Sequence, residues 1–375
     1  MKIGISCYPT YGGSGIVATE LGKSLAQRGH EVHFIAYALP HRLNDSFDPN
    51  ILFHEVKVPE YPLFEYPPYS LSLATKMADI AIHEKLDLIH AHYAIPHAVS
   101  AYLAREMIRD QHRLKIITTL HGTDITLVGA DPSFMRITRY GINRSDAVTT
   151  VSEFLKNETI KTFNPTVPIR VIYNFIKEER DQQNICRQLR SKYAPNGEPI
   201  LIHLSNFRPV KRVLDTIQIT RRVLDRMPVR LVLIGDGPER SLAEKTVRDL
   251  GIEKSTIFLG KQEEVYFFLS LGDIFLMPSQ TESFGLAALE AMACGLPCIS
   301  SNAGGLPELN IHGETGFLAP VGDVEQMSSQ VLQILSNPSL KETLSQQARK
   351  RALENFHADS IIPQYIQLYE DVLGS

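Results

Sequence analysis

Short apolar runs of strand length alternate with amphipathic, helix-period segments along most of the 375-residue chain. In the first half, five runs are separated by segments in which apolar residues recur every three or four positions. The five runs are KIGISCY, EVHFIAYA, DLIHAHY, KIITTLHG and AVTTVS. Apolar strands that alternate with such helices are typical of a parallel sheet covered by helices on both faces.

The alternation breaks near IRVIYNF, where a polar, charged stretch follows, and it restarts at ILIHLSNF. Further runs are RLVLIGDGP, TIFLG, IFLMPS and PCISS, again separated by helical segments. The pattern predicts an α/β protein with two doubly wound parallel-sheet (Rossmann-like) domains, of residues 1–170 and 171–357. A last helix, predicted from about Ser360 to Leu373, has a periodicity that allows packing on either domain.

Composition narrows the class of protein. With 43% hydrophobic residues, 21% charged residues and a formal net charge of −4, the chain is ordinary for a globular enzyme and lacks the basic excess of a nucleic-acid or anionic-membrane binder. No apolar stretch approaches the roughly 18 residues of a membrane helix, and MKIGISCY is typical of a first strand rather than a signal peptide. The four cysteines form no CxxC pair, which favours a reducing, cytoplasmic location.

Ligands of doubly wound sheets bind beyond the carboxyl ends of the strands, so motifs at strand ends are the candidate site. A glycine loop with Gly13 and Ser14 follows the first strand but does not fit GxGxxG, which leaves both a tight turn and a ligand loop open. His121 and Thr123 end another strand, where a histidine can donate to a sugar hydroxyl or a phosphate, although the His and Asp of HGTD also fit simple loop closure. His90 and His92 share one strand face, but no third metal ligand is evident, so a core or cleft-lining pair is favoured.

The sharpest motif is ESFGLAALE, with Glu282 and Glu290 eight residues apart. If both were helical they would lie about 12 Å apart, too far for a glycosidase pair. With Glu282 in a turn, the two carboxylates instead suit opposite ends of one ligand. The amides of Phe284, Gly285 and Leu286 would then begin a helix and suit a diphosphate.

Cationic and glycine-bearing strand ends lie elsewhere in the second half. SNFRPVKR contains Asn206 and three cations, Arg208, Lys211 and Arg212. The cations lie where charge on a leaving group can be offset, although a solvated loop is the alternative. Gly235 and Lys261 lie at two further strand ends, where backbone groups can frame a base and a ribose.

Together these residues resemble the family-four retaining glycosyltransferases of the GT-B fold, over essentially the whole chain. The most specific part is the glutamate pair and the following GLPCISSNAGGLPELNIHGETGFL. The resemblance implies two Rossmann-like domains facing across a cleft, with the acceptor on the first and the nucleotide sugar on the second. It also implies that the last helix, about residues 358–375, crosses back to the first domain.

The resemblance further implies a donor and an acceptor. The donor is UDP-N-acetylglucosamine and the acceptor is L-malate, and transfer of N-acetylglucosamine to the malate hydroxyl is the first step of bacillithiol biosynthesis. Glu282 would bind the hydroxyls of the sugar, and Glu290 would bind those of the ribose. Lys211 and the amides of Phe284, Gly285 and Leu286 would hold the diphosphate. Gly13 and His121 would close over the donor sugar. The family usually has an arginine where this chain has Asn206, and Arg208 is the candidate replacement. Candidates for a dicarboxylate acceptor are Ser14, Tyr93, Thr123 and Arg144.

Family membership implies retention at the anomeric carbon. No carboxylate stands at nucleophile spacing from Glu282, which favours front-face displacement, and the absence of an Asp-x-Asp motif predicts a reaction without metal or other cofactor. Four alternatives stay open: another small acceptor, a sugar-nucleotide epimerase, an NAD-dependent oxidoreductase and a non-catalytic nucleotide-sugar sensor. A homo-oligomer also stays open.

Overall fold

A computed structural model describes residues 1–10, 12–43, 47–59, 65–177 and 190–374. The chain forms two compact units. Unit 1 comprises Met1–Asn174 together with Ala358–Ser375, and unit 2 comprises Phe175–His357. Each unit is a parallel sheet covered by helices, which confirms the predicted fold class.

Unit 1 contains a seven-stranded sheet in the order β3-β2-β1-β4-β5-β6-β7, in which every described pair is parallel. The strands are β1 (Lys2–Ser6), β2 (Glu31–Ala36), β3 (Ile51–Glu55), β4 (Leu88–His92), β5 (Lys115–Leu120), β6 (Ala147–Thr150) and β7 (Ile169–Val171). The central strands β1, β4 and β5 are buried except for the first residue of β1 and of β5, as their continuous apolar sequences predict. The strand order reverses between β1 and β4, because β2 and β3 lie on one side of β1 and the later strands lie on the other.

In the part of unit 1 that the structure describes, five α-helices connect these strands. They are α1 (Gly13–Ala26), α2 (Tyr69–Glu84), α3 (Val99–Ile108), α4 (Pro132–Asn143) and α5 (Glu153–Phe163). Side chains from α2 and α3 pack with β2 and β4 into one apolar core, which includes Leu73, Met77 and Ile89. Ser152 caps α5 by accepting from the amide of Leu155 at 3.0 Å, and Asp131 caps α4 in the same way.

Unit 2 contains a six-stranded parallel sheet in the order β10-β9-β8-β11-β12-β13. The strands are β8 (Ile200–Leu204), β9 (Arg230–Ile234), β10 (Thr256–Gly260), β11 (Ile274–Met277), β12 (Cys298–Ser301) and β13 (Gly316–Ala319). The helices are α6 (Val213–Leu224), α7 (Arg240–Asp249), α8 (Val265–Leu269), α9 (Leu286–Ala293), α10 (Leu306–Leu309), α11 (Val324–Leu335) and α12 (Pro338–Asn355). The strand order turns between β8 and β11.

The last helix, α13 (Ala358–Gly374), belongs to unit 1. Its Tyr365 and Tyr369 are fully buried, and the Tyr369 hydroxyl lies 2.7 Å from Nδ1 of His90 on β4. Two large aromatic side chains thus fasten the end of the chain to the centre of the first sheet. No helix among the described residues is both long and apolar enough to span a bilayer.

Candidate active site

The candidate residues of unit 2 lie beside the point where its sheet turns its strand order. Residues after β8 include Lys211, and residues after β11 include Glu282. Where the strand order of a parallel sheet reverses, the connections after two neighbouring strands run in opposite directions. A crevice forms between these connections, and ligands bind there. The backbone amide of Gln280 donates to the carbonyl of Val210 at 2.7 Å, so the two loops are also tied to each other.

Lys211 and Glu282 form the central contact of this crevice. Nζ of Lys211 lies 2.7 Å and 2.8 Å from the two carboxylate oxygens of Glu282. The Ser279 hydroxyl donates to Oε1 of the same carboxylate at 2.8 Å. The Glu282 side chain is only 10% exposed and that of Lys211 20%, so the pair is largely shielded from water and its geometry is well fixed.

The Gly304-Gly305 pair holds the backbone that carries Glu282. The amide of Gly305 donates to the Glu282 carbonyl at 2.8 Å. A Cβ on Gly304, whose φ is +62°, would lie 2.2 Å from that same carbonyl oxygen. The two glycines of the NAGGLPE segment, downstream of the glutamate pair, therefore support the Glu282 backbone from a distance that leaves no room for a side chain on Gly304.

Helix α9 begins behind Glu282, at Leu286. Gly285 is its N-cap with a φ of +101°, and Phe284 before it is buried. The prediction that Phe284 and Gly285 belong to the helix is therefore wrong by two residues, because the left-handed backbone of Gly285 cannot be part of a helical turn. Glu282 lies in the preceding loop, as one of the two predicted arrangements requires. The first amides of α9 have no acceptor within the helix, which suits an anion.

Glu290 lies on α9, about one helical turn after its first residue, and is almost fully buried at 6% exposure. The two glutamates are thus on one loop and one helix rather than on a single helix. Their carboxylates belong to the same segment, with the N-terminus of α9 between them in sequence. This arrangement suits one elongated ligand better than a pair of groups acting on one bond.

The other predicted donor residues of unit 2 differ in their surroundings. Asn206 and Arg208 are exposed in the loop after β8, whereas the neighbouring Arg212 pairs with Asp215 at 2.7 Å and is used in the fold. Gly235 directly follows β9, and its amide donates to the carbonyl of Gly260 at 2.7 Å, so that amide serves the sheet rather than a base. Lys261 follows β10 and is exposed.

In unit 1, three predicted acceptor residues come together around the Tyr93 ring. Burial raises the pKa of the Tyr93 hydroxyl to about 12, and interaction with the side chains of Ser14 and Thr123 acts in the opposite direction. Tyr93 has a φ of +92°, a backbone strain that is typical of functional sites. Gly13, the first residue of α1, is exposed beside Ser14. These groups lie after β1, β4 and β5, where this sheet turns its strand order.

His121 lies in the same group of side chains. Its Nε2 is 2.9 Å from Nδ1 of His92, the two rings are stacked at 5.1 Å, and the Tyr93 ring is 5.2 Å away. Burial lowers the pKa of both imidazoles well below the ordinary value, so both rings are neutral near pH 7. His121 is half-buried, whereas His92 is fully buried.

Asp124 organises the backbone of this site. Its carboxylate accepts from the amides of Ala94, His121 and Gly122 at 3.0, 3.2 and 2.9 Å. Burial raises its pKa to about 6. The HGTD motif therefore does both things that its sequence suggests: Asp124 closes the loop, and His121 remains at the surface of the site.

The structure does not bring Arg144 to the Tyr93 group. Arg144 follows α4 and precedes β6, so it lies at the amino end of the sheet, opposite the carboxyl ends that carry His121 and Tyr93. Its guanidinium lies over the rings of Tyr102 and Tyr140, at 5.7 and 5.1 Å. The prediction of Arg144 as an acceptor ligand is therefore not supported, because the distance along β6 separates it from the site.

Unit 1 contains two groups of side chains that could ligate a metal ion. His90 and His92 do share a face, with rings 4.4 Å apart, but His90 is hydrogen-bonded through both nitrogens, to Tyr369 and to Thr119. Within the described ranges, three potential ligands converge at Glu31, His33 and Glu84. Lys2 already places an ammonium 2.8 Å from Glu31 there. That cluster lies near the amino end of β2, away from His121.

The sequence predicts Asp124 only as a loop-closing residue and His92 only as a core or cleft-lining residue, and it does not single out Ser279. All three support the site. Ser279 holds Glu282, Asp124 holds the backbone of His121, and His92 holds the His121 ring. Each is a polar residue at or just beyond the carboxyl end of a buried strand. A search for buried polar groups at such positions would have found them, since buried polar side chains need specific partners.

Comparisons with known proteins agree with this arrangement. The family described as Glycosyltransferase Family 4 matches residues 11–180, and Glycosyl transferases group 1 matches residues 187–351. N-acetyl-alpha-D-glucosaminyl L-malate synthase of Bacillus anthracis is 50% identical over 374 residues, which cover 100% of this chain and 97% of that protein.

Two solved structures share the fold at low sequence identity. Anabaena HepE in complex with UDP and glucose aligns with a TM-score of 0.82 at 21% identity, covering 99% of each chain. Sucrose-phosphate synthase from Thermosynechococcus elongatus aligns with a TM-score of 0.77 at 22% identity, over 100% of this chain and 99% of that one. The chain belongs to the family-four glycosyltransferases of the GT-B fold.

Proposed function

We propose that this glycosyltransferase moves N-acetylglucosamine from UDP-N-acetylglucosamine to the hydroxyl of L-malate with retention, in the cytoplasm, as the first step of bacillithiol biosynthesis. The 50% identity over the full length of the malate synthase supports this choice of donor and acceptor. The observation that carries the proposal within the structure is the Lys211–Glu282 contact in front of α9.

The donor site of unit 2 follows from its charges. A UDP-sugar presents a diphosphate and neutral hydroxyls, so it needs cations and amides at one point and hydrogen-bond acceptors at the next. Lys211 and the first amides of α9 supply the former. Glu282 supplies acceptors for sugar hydroxyls, and Glu290 is placed for the ribose. Arg208, exposed in the same loop, is the second cation available to the leaving diphosphate.

Both ends of the Lys211–Glu282 contact would act in the reaction. As the bond between the anomeric carbon and the phosphate oxygen breaks, negative charge grows on the departing UDP, and Lys211 stabilises it. Glu282, held by Ser279, keeps the sugar in place. The malate hydroxyl oxygen forms the new bond on the same face, and a phosphate oxygen of the leaving UDP receives its proton.

The acceptor site of unit 1 would use hydroxyl groups and a neutral imidazole. Ser14, Tyr93 and Thr123 supply hydrogen bonds for the acceptor carboxylates. His121, with Gly13, would close over the donor sugar. We propose a reaction that needs no metal and no other cofactor, because the leaving-group charge has Lys211, Arg208 and a helix N-terminus as partners.

The test is release of UDP from UDP-N-acetylglucosamine with and without L-malate, in the presence of EDTA. We expect release that depends on malate, and a product with the α configuration at the anomeric carbon. Release with another hydroxy acid but not with malate would leave a family-four transferase with a different small acceptor. Conversion of the donor without any acceptor would indicate an epimerase instead. Loss of activity in EDTA would contradict the metal-free reaction.

A further inference from the structure

His92 is a buried residue of β4 whose hydrogen bonding is incomplete. Its Nδ1 is bonded to Nε2 of His121 at 2.9 Å, but its Nε2 is buried and has no partner among the described residues. A neutral imidazole carries one proton, on one of its two nitrogens. The position of that proton on His92 therefore decides which nitrogen of His121 carries a proton.

Two arrangements are compatible with neutral rings. In the first, His121 donates from Nε2 to His92, and the proton of His92 then lies on its buried Nε2, where no acceptor meets it. In the second, His92 donates from Nδ1 to His121, and its Nε2 is a bare lone pair. A buried N–H without an acceptor is the rarer defect in proteins and forfeits a hydrogen bond, at a cost of about 1–3 kcal/mol. The second arrangement also leaves the proton of His121 on Nδ1.

We infer that His92 is a positioning residue that holds His121 in the Nδ1–H tautomer, so that His121 presents a hydrogen-bond donor to the ligand. The contacts around the pair are consistent with this role. Nδ1 of His121 has no partner within the residues that the structure describes, and the ring is half-buried rather than enclosed. The oxygen atoms of a sugar or a phosphate accept hydrogen bonds from such a group.

The surroundings of the pair keep the arrangement fixed. The His90 ring lies 4.4 Å from His92, and its own nitrogens are occupied by Tyr369 and Thr119. Asp124 accepts the backbone amide of His121 at 3.2 Å. The Tyr93 ring, 5.2 Å away, covers another side of His121. Ring stacking and the backbone contact restrain the orientation of His121, while the bond to His92 sets its proton.

This inference rests on the proposed function only in naming the ligand of His121. The direct test does not require activity. In the wild-type protein with 15N-labelled histidine, two-dimensional proton–nitrogen spectra at pH 7.5 report which nitrogen of each ring is protonated. A His121→Asn spectrum assigns the His121 signals by difference. We expect a protonated Nδ1 and a bare Nε2 for His121. A proton on Nε2 of His121 would overturn the inference.

A matched pair of variants tests the consequence for catalysis. In His92→Asn, the side-chain amide replaces Nδ1–H at the same number of bonds from the backbone and still donates to His121. In His92→Asp, an oxygen at that place accepts instead and draws the His121 proton to Nε2. We expect His92→Asn to retain kcat/KM for the donor within about threefold, and His92→Asp to lose about 100-fold at pH 8.

The pH profile separates this role from a purely structural one. In His92→Asp, lowering the pH adds a proton to the pair and restores a donor on Nδ1 of His121, so activity should recover in part. A merely structural role would give both variants the same profile. Equal activity of the two variants at every pH would contradict the inference. If no transferase activity is found in the wild type, the proposed function fails, but the spectra still decide the tautomer.

Discussion

The two crevices of this protein are built on the same kind of sheet but from different chemistry. In unit 2, a lysine and a glutamate meet at 2.7 Å in front of a helix N-terminus. In unit 1, the corresponding strand ends carry neutral histidines, a tyrosine of raised pKa and two hydroxyl side chains. Charged groups suit a diphosphate that gains charge during the reaction, whereas neutral groups select by hydrogen-bond geometry.

In the proposed function, this difference divides the work of a two-substrate reaction between two sheets of the same kind. A doubly wound sheet fixes where a site lies, at the turn in strand order, but not what the site binds. The residues directly after the strands decide that. Substitutions that change one crevice and leave the other intact test this division.

The largest effect is expected for Lys211→Ala. In the proposed function this change removes the cation that stabilises the leaving diphosphate, and it leaves Glu282 without its ion-pair partner, so kcat should fall about 100- to 1,000-fold. Steady-state kinetics with saturating malate measure this. The matched control is Arg212→Ala, which removes a neighbouring charge that is already paired with Asp215. An equal loss in both variants would mean that only the overall charge of the loop matters.

Gly304→Ala should damage the donor site through its backbone. The added Cβ would lie 2.2 Å from the Glu282 carbonyl oxygen, so the loop that carries Glu282 must shift. Gly313→Ala is the control, because Gly313 also has a positive φ, of +80°, but its Cβ would meet nothing within 4 Å. We expect Gly304→Ala to cost about 2 kcal/mol more in the free energy of unfolding than Gly313→Ala.

Urea denaturation of the two variants checks this difference. Gly304→Ala should also lower the activity that remains at temperatures where the variant is folded. Similar stability and activity for the two variants would show that the brace on Glu282 is unimportant.

The neutral histidines of unit 1 predict sensitivity to acid. Burial lowers the pKa of His90, His97 and His121 to about 3, while unfolded histidine titrates near 6.5. Between these two pKa values the unfolded state binds protons that the folded state does not bind. The free energy of unfolding must therefore fall as the pH falls below about 6.5. Each histidine can contribute up to about 1.4 kcal/mol per pH unit.

One group opposes this trend. The pKa of Asp124 is raised to about 6, so its contribution to stability is greatest at low pH and is lost as the pH rises through 6. Three histidines outweigh one carboxyl group, and the net slope should stay positive between pH 4 and 6. Urea midpoints at pH 7 and pH 5 measure it, and His97→Phe should reduce it. Stability that is the same at both pH values would contradict neutral burial.

The smallest effect is expected for Tyr93→Phe. This change removes a hydroxyl that lies beside Ser14 and Thr123 and that the proposed function assigns to the acceptor. Loss of one hydrogen bond to malate is worth about 1 kcal/mol, so KM for malate should rise about fivefold, with little change in KM for the donor. Arg144→Ala is the control and should leave malate binding unchanged, since Arg144 lies at the opposite end of the sheet. A rise in the malate constant for Arg144→Ala would restore that residue to the site.

The central strands and the glutamate segment could be predicted because their signals are local. Apolar runs such as KIITTLHG are typical of buried strands. The turn that contains Glu282 is indicated by Pro278 and Gly285 on either side of it, because proline and glycine interrupt strands and helices. The edge strands β3 and β7 were not predicted. β3 is half-exposed along most of its length and β7 has three residues, so neither carries a continuous apolar pattern.

Contacts between distant segments could not be predicted. Nothing in sequence shows that Gly304 braces Glu282 or that His92 bonds to His121, because both contacts depend on which strands become neighbours. The charge of Arg144 suits a dicarboxylate acceptor, but the length of β6 places this residue at the opposite end of the sheet from the site. Strand order, rather than local propensity, decides such cases.

The central claim is that the charged crevice of unit 2 binds the nucleotide and the neutral crevice of unit 1 does not. Calorimetric titration of UDP into the wild type, Lys211→Ala and Tyr93→Phe tests it most directly. The account predicts that Lys211→Ala weakens UDP binding about tenfold or more, while Tyr93→Phe binds UDP as the wild type does. UDP binding that is weakened equally by Tyr93→Phe, or is unaffected by Lys211→Ala, would contradict the account.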